Sequence, residues 1–246
     1  MGLVRIRKSD CGVLQFTLND PKRRNALGLE MFTELNLALQ QYHDDARCVL
    51  LDGEGSAFCS GFDMKACVEN LSTLETYIVL LSELIRSLRR LPIPVVVAAH
   101  GAAIAGGCAL LTGCDFAIGS TEGKYGYPVH QLGISPAVTI PTLFQKLGRG
   151  RARALMMSGE LLNGTDAFAI GLLTHIEDSD KQVNTRAIEL ANSLAQKPPH
   201  ALQATKQWIN ELDGSLDDGW FDAAAMHSAS SIGDETLELM NQHWKK

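Results

Sequence analysis

Two strand–glycine–helix junctions constrain this chain more than any other feature. In the first, the apolar run Cys48-Val49-Leu50-Leu51 reads as a buried strand and gives way to Gly53-Glu54-Gly55-Ser56-Ala57-Phe58-Cys59-Ser60-Gly61-Phe62. A helix then opens at Asp63-Met64-Lys65-Ala66. In the second, Pro94-Val95-Val96-Val97-Ala98-Ala99 runs into Gly101-Ala102-Ala103-Ile104-Ala105-Gly106-Gly107-Cys108, and a helix opens at Gly106. The first turn of a helix carries N–H groups without intrahelical partners and a partial positive charge. Two such ends can share one negatively charged oxygen, so the pair reads as an oxyanion hole. Glycine clusters after apolar runs are more often plain turns, and the reading rests on the pair rather than on either one.

The flanking residues add to it. Asn25-Ala26-Leu27, Ala57-Phe58-Cys59-Ser60-Gly61-Phe62-Asp63-Met64-Lys65, the segment Gly101 to Cys108 with Cys114-Asp115 behind it, Tyr127-Pro128 and Leu132-Gly133-Ile134 occur in that order. Over nearly its whole length the sequence resembles the enoyl-CoA hydratase/isomerase (crotonase) superfamily. That resemblance implies an α/β fold, a crotonase-like ββα spiral core over residues 1–198, followed by a C-terminal helical oligomerisation region over 199–246. It implies a coenzyme A thioester whose carbonyl is held by the N–H groups of Phe62 and Gly106. No separate cofactor is expected, since coenzyme A enters as part of the substrate, and no metal constellation is visible. Lys22, Arg23, Arg24 and Lys65 are cations suited to the coenzyme A phosphates, or else solvated surface charges. Backbone near Ser60 and Met64 would receive the adenine by carry-over from the family.

The proton-transfer half of the pattern is where the sequence departs. Hydratases of the family place one glutamate just after the second glycine pair and another after the Tyr-Pro-like segment; Ala109 and Val129 stand there. Ala137 occupies a further position used by some isomerases. His130, one place beyond Val129, is the first substitute to consider, with Tyr127, Tyr125 and Ser135 near it. A single step along a strand turns a side chain to the other face, so His130 either faces the pocket or packs away from it. The resulting expectation is an acyl-CoA enzyme favouring decarboxylase, isomerase or hydrolase chemistry over hydration. The alternative is a catalytically silent acyl-CoA-binding or scaffold protein.

Charge and composition narrow the partners. Against 22 Lys and Arg stand 28 Asp and Glu, a net charge of −6 that disfavours nucleic acid. The six cysteines contain no C-x-x-C pair and read as reduced packing thiols, with His100 as a turn anchor. No signal peptide is apparent, and the apolar stretch Pro94 to Leu111 is divided by glycines, so a strand and a buried helix are expected rather than a membrane span. A cytoplasmic location follows, with mitochondrial matrix or peroxisome also open to the family.

Periodicity predicts strands at Leu3 to Ile6, Val13 to Leu18, Asp115 to Ile118 and Leu172 to Ile176, and helices around Leu29 to Leu39 and from Leu71 to Leu91. From Thr139 onward helices dominate, with Gly148 dividing Ile140 to Leu147 from Arg149 to Met157. The tail after Pro198-Pro199 carries Met226, Ile232, Leu237, Leu239 and Met240, apolar residues that suit a homotrimer or a dimer of trimers.

Overall fold

The computed structural model describes residues 2–42 and 46–244. It opens with the expected hairpin, β1 (Val4–Lys8) antiparallel to β2 (Val13–Leu18). Helix α1 (Leu29–Tyr42) then returns the chain so that β3 (Cys48–Gly53) lies parallel to β2. Helices α2 (Met64–Glu69) and α3 (Ser72–Arg90) lead to β4 (Val95–Ala99), and β5 (Ala102–Ile104) and α4 (Gly106–Gly113) follow at once. The same pattern recurs in β6 (Phe116–Ser120) and β7 (Lys124–Gly126). Two 3-10 turns, Pro128–Leu132 and Ala137–Thr139, precede α5 (Ile140–Ser158), β8 (Leu161–Asn163), α6 (Gly164–Ala169) and β9 (His175–Glu177). Four helices finish the chain: α7 (Asp180–Ala195), α8 (Pro199–Leu212), α9 (Asp218–Ala229) and α10 (Asp234–Trp244).

The strands form two sheets. A six-stranded sheet runs β1-β2-β3-β4-β6-β9, parallel beyond the opening hairpin, and a three-stranded sheet runs β5-β7-β8. Successive turns of the chain thus give one strand to the large sheet and the next to the small one, as β4 then β5 and β6 then β7 do. Side chains of a strand alternate between faces. Val49, Leu51, Val95 and Val97 accordingly enter the core with α1, α3 and α4, whereas Cys48, Leu50, Val96 and Ala98 pack under Val183, Ala187 and Ala191 of α7. Both faces being covered explains why these strands read as continuous apolar runs. Each fully buried Val or Leu contributes on the order of 1.5–3 kcal/mol.

Local signals explain most boundaries. Pro92 follows the end of α3, and Ser179 caps α7 by accepting from the Gln182 N–H. Gly148, at φ 73° and ψ 160°, breaks α5 into the two abutting helices read from sequence. Two expectations shift. Leu172 and Leu173 are buried but lie in the turn before β9, and the small sheet, with three residues per strand, is an addition to the elements expected from periodicity.

The tail folds onto its own core. Lys206 of α8 reaches inward to the Ile93 carbonyl at 2.9 Å and to Asp115 at 2.7 Å, and Asn210 donates to the Arg89 carbonyl at 3.2 Å. Of the apolar tail residues expected at the surface, Met240 is fully buried, Ile232, Leu237 and Leu239 are half-buried, and Met226 stays exposed. Further exposed apolar surface lies on α8, at Trp208, Ile209 and Leu212.

Candidate active site

Asn25 holds the first glycine stretch in place. It is fully buried with φ 55°, and its Nδ2 donates to the carbonyls of Glu54, Ala57 and Phe58 at 3.0, 2.9 and 3.0 Å. Its Oδ1 accepts from the Asp20 N–H at 2.8 Å. One side chain thus ties together three carbonyls of the stretch.

The two junctions are then joined edge to edge. The Cys59 N–H donates to the Ala102 carbonyl at 3.1 Å, and the Ile104 N–H donates to the Cys59 carbonyl at 3.0 Å, a parallel bridge between Cys59 and Ala103. Gly61 adopts φ 96°, and a Cβ there would stand 3.0 Å from the Ile104 oxygen and 3.6 Å from the Gly106 nitrogen. A Cβ on Gly106 would stand 3.2 Å from the Phe62 ring. The glycines therefore permit an approach that side chains would prevent. On the other side, Leu27 donates to the Gly61 carbonyl at 2.7 Å and accepts from the Asp63 N–H at 3.0 Å. In that parallel bridge the Phe62 N–H points away from Leu27. Gly106 opens α4, so its N–H has no intrahelical partner. The Phe62 ring is steadied by edge contacts with Phe32 and Tyr77, at centroid distances of 6.2 and 5.6 Å.

Both residues line a cavity of about 280 Å³. Its walls are mainly apolar: Met64, Ile78, Leu81, Ile104, Leu132 and Val138 among them. No Asp or Glu lines it among the described residues. Two helices of the tail help build it. The Val138 N–H and the Ser135 carbonyl both bond the buried Ser228 hydroxyl of α9, at 2.7 and 2.9 Å, and Thr236 of α10 donates to the Gly133 carbonyl at 3.1 Å.

Comparison with known proteins places this geometry. A model of the enoyl-CoA hydratase/isomerase family matches residues 8–218. The chain belongs to that family. A short-chain-enoyl-CoA hydratase of Clostridium acetobutylicum is 31% identical, with 79% of this chain and 76% of the relative covered. A 1,2-epoxyphenylacetyl-CoA isomerase of Escherichia coli is 33% identical over 84% of this chain and 83% of its own. The crystal structure of an enoyl-CoA hydratase/isomerase from Xanthobacter autotrophicus Py2 superposes with a TM-score of 0.89, at 24% identity, covering 100% of this chain and 94% of that one. The fold is the crotonase fold, and the protein is an enzyme of the hydratase/isomerase family. Because such relatives carry out different reactions, the reaction has to be read from the cavity's own side chains.

The residues singled out from sequence divide accordingly. Phe62, Gly106, Ser60 and Met64 line the cavity of this family member. Lys22, Arg24 and Lys65 are exposed and do not line it. Arg23 is committed elsewhere, since Asp20 and Asp63 each hold its guanidinium at 2.6 Å. His130 corrects the expectation of a substitute acid or base. The segment is a 3-10 turn rather than a strand, Val129 takes the cavity side, and His130 is exposed. Its Nδ1 stands 3.1 Å from where a Cβ on Gly159 would be. Ala109 and Ala137 are buried behind the walls.

Other candidates resolve as packing. The Tyr125 hydroxyl donates to the Ala99 carbonyl at 2.8 Å and accepts from the Ser120 N–H at 3.1 Å. Burial pushes the Cys59, Cys67 and Cys108 thiols up to about 12, so they hold their protons. His100 anchors a turn, its Nε2 3.1 Å from the Gly55 carbonyl oxygen. The sequence reading missed His243, which α10 brings to the cavity with Nδ1 2.8 Å from the Leu239 carbonyl oxygen. In the tautomer that donates this bond, Nε2 is the acceptor. No local motif marks it, because its position depends on how the last helix docks.

Proposed function

We propose that the protein binds acyl-CoA thioesters and stabilises their enolates between the N–H groups of Phe62 and Gly106. The observation that carries this is the meeting of the two junctions at one cavity, with Gly61 and Gly106 in near contact. Each such donor typically contributes roughly 2.7–4 kcal/mol when the oxygen carries charge in the transition state. The cavity's lack of carboxylates supports chemistry that does without a hydratase pair: isomerisation, hydrolysis or decarboxylation. Of these, decarboxylation makes the enolate directly as CO₂ leaves, and needs no general base. The same lack favours the second reading, a silent acyl-CoA-binding protein.

Lys22, Arg24 and Lys65, exposed near the first junction, serve as the cations for the coenzyme A phosphates, with Ser60 and Met64 at the wall beside them. Arg23 contributes less, its charge being shared with two carboxylates. No described helix is long and apolar enough to cross a membrane. The test is calorimetry with acetyl-CoA and a longer acyl-CoA, followed by turnover of enoyl-, malonyl- and 3-oxoacyl-CoA. Saturable binding with turnover of one class supports the enzyme, and binding without turnover supports the silent reading. No heat at millimolar ligand removes both.

A further inference from the structure

Helix α10 carries one inward face. Thr236 and Met240, four residues apart, are both fully buried, and His243, three residues further, continues the same side of the helix. The helix packs against α2 and against the Pro128–Leu132 turn. Met64 of the one and Val129 and Leu132 of the other line the cavity, and the last turn of α10 brings the His243 imidazole to the same wall. His243 is exposed as well as lining, so a ligand and water can both reach it. We infer that His243 is a catalytic residue of this site, moving the proton at the carbon next to the thioester carbonyl while Phe62 and Gly106 hold the oxygen; this rests on the acyl-thioester reading above.

The chemistry of the wall leaves little choice. Whichever bond breaks to make the enolate, recovering an ordinary thioester requires a proton on that carbon. Among the described lining residues there is no carboxylate, lysine, arginine or cysteine to carry it. The hydroxyls of Ser60, Ser135 and Thr139 and the amide of Gln131 neither take nor give protons readily near neutral pH. Tyr127 is buried, and burial raises its phenol well above the ordinary range, so it keeps its proton. Imidazole is the side chain that both takes and gives a proton near neutral pH.

The backbone prepares the ring. With Nδ1 2.8 Å from the Leu239 carbonyl oxygen, the tautomer that donates this bond leaves the lone pair on Nε2. In the first step Nε2 takes the α-hydrogen as a proton. The C–H bond breaks, its electron pair becomes the enolate C=C bond, and the carbonyl pair moves onto oxygen, where the two N–H groups meet it. In the return step the imidazolium gives a proton back to carbon, and between the two steps the exposed ring exchanges with water. The bond from Thr236 to the Gly133 carbonyl ties the start of α10 to the chain just after the Pro128–Leu132 turn, so the tail completes the site that the glycine junctions begin.

The experiment follows the α-hydrogens of butyryl-CoA by proton NMR in heavy water on the wild type, His243→Gln and His243→Ala, with calorimetric titration of the same ester beside it. The wild type should exchange these hydrogens for deuterium, and His243→Gln should do so at least about 10²-fold more slowly. Affinity should stay within about twofold, because the lost interaction belongs to the proton transfer and not to the bound ester. Imidazole added to His243→Ala should restore exchange. Binding without exchange by the wild type, exchange undiminished in His243→Gln, affinity lost in step with exchange, or no rescue by imidazole overturns this role and leaves the acyl-thioester reading standing. A wild type that binds no acyl-CoA removes that reading and this role together.

Discussion

Lys206 of α8 crosses into the core and meets Asp115, the residue after Cys114, at 2.7 Å. Asp115 is in turn bonded by the Val95 N–H at 2.8 Å, so one carboxylate ties the tail to the start of β4. The Lys206 side chain is only 10% exposed and that of Asp115 24%. Removing one partner of a buried pair typically costs about 3–5 kcal/mol, and the part of Asp115 in water brings this to the lower end. Lys206→Met should thus lower stability by about 3 kcal/mol, read from the midpoint of urea unfolding. An unchanged midpoint would show that the tail is held by its apolar contacts alone.

Restoring the hydratase carboxylates should create an activity. Ala109 and Val129 stand where the family resemblance expects the two glutamates, and general acid–base groups contribute typically about 10²–10⁴-fold each. The parent is expected to hydrate crotonyl-CoA very weakly or not at all. The double variant Ala109→Glu with Val129→Glu should hydrate it measurably faster. Rapid hydration by the parent would mean that another group supplies the proton, and His243 would be the first to replace.

The outward face of α8 should mediate self-association into a trimer or a pair of trimers. Trp208 is 60% exposed and Leu212 69%, on the helix face opposite Lys206 and Asn210. Light scattering should give a trimeric or hexameric mass for the wild type. Trp208→Glu combined with Leu212→Glu should lower that mass while leaving the circular dichroism spectrum unchanged. A wild-type monomer at micromolar concentration would contradict the proposal.

Lys146 gives a pH dependence with a definite sign. Burial lowers its ammonium from 10.5 to about 8. Between those values the unfolded chain binds more protons than the folded one, so this residue's contribution to stability rises with pH across that window. Buried thiols pushed up to about 12 act in the opposite direction above their ordinary value of 9.0. The comparison of wild type with Lys146→Met separates the two. At pH 7 the variant should be more stable by up to about 3 kcal/mol. The advantage should shrink as the pH is raised from 8 toward 10.5, as followed by urea unfolding at each pH. A constant difference would show that the ammonium keeps its ordinary affinity for the proton.

The sequence by itself determined the elements whose cause is local or periodic. Continuous apolar runs such as Val95 to Ala99 mark strands covered on both faces, and the stripe Leu74, Ile78, Leu81, Leu84, Ile85 and Leu88 of α3 marks its buried side. The glycine junctions were equally legible, because glycine at Gly61 and Gly101 answers a positive φ that few other residues adopt. Only the tertiary structure decided what those junctions meet. The Cys59–Ala103 bridge joins segments some 40 residues apart with one hydrogen bond in each direction, too few to leave a pattern in the chain. Strands β5, β7 and β8 are three residues each, below the length at which alternation can be read. The orientation of the Pro128–Leu132 turn placed Val129 at the cavity and His130 outside it, and a one-residue difference of that kind depends on backbone conformation rather than on residue type. The place of His243 at the cavity became visible only in three dimensions. The partners a side chain finds, or lacks, are set by packing between elements far apart in sequence.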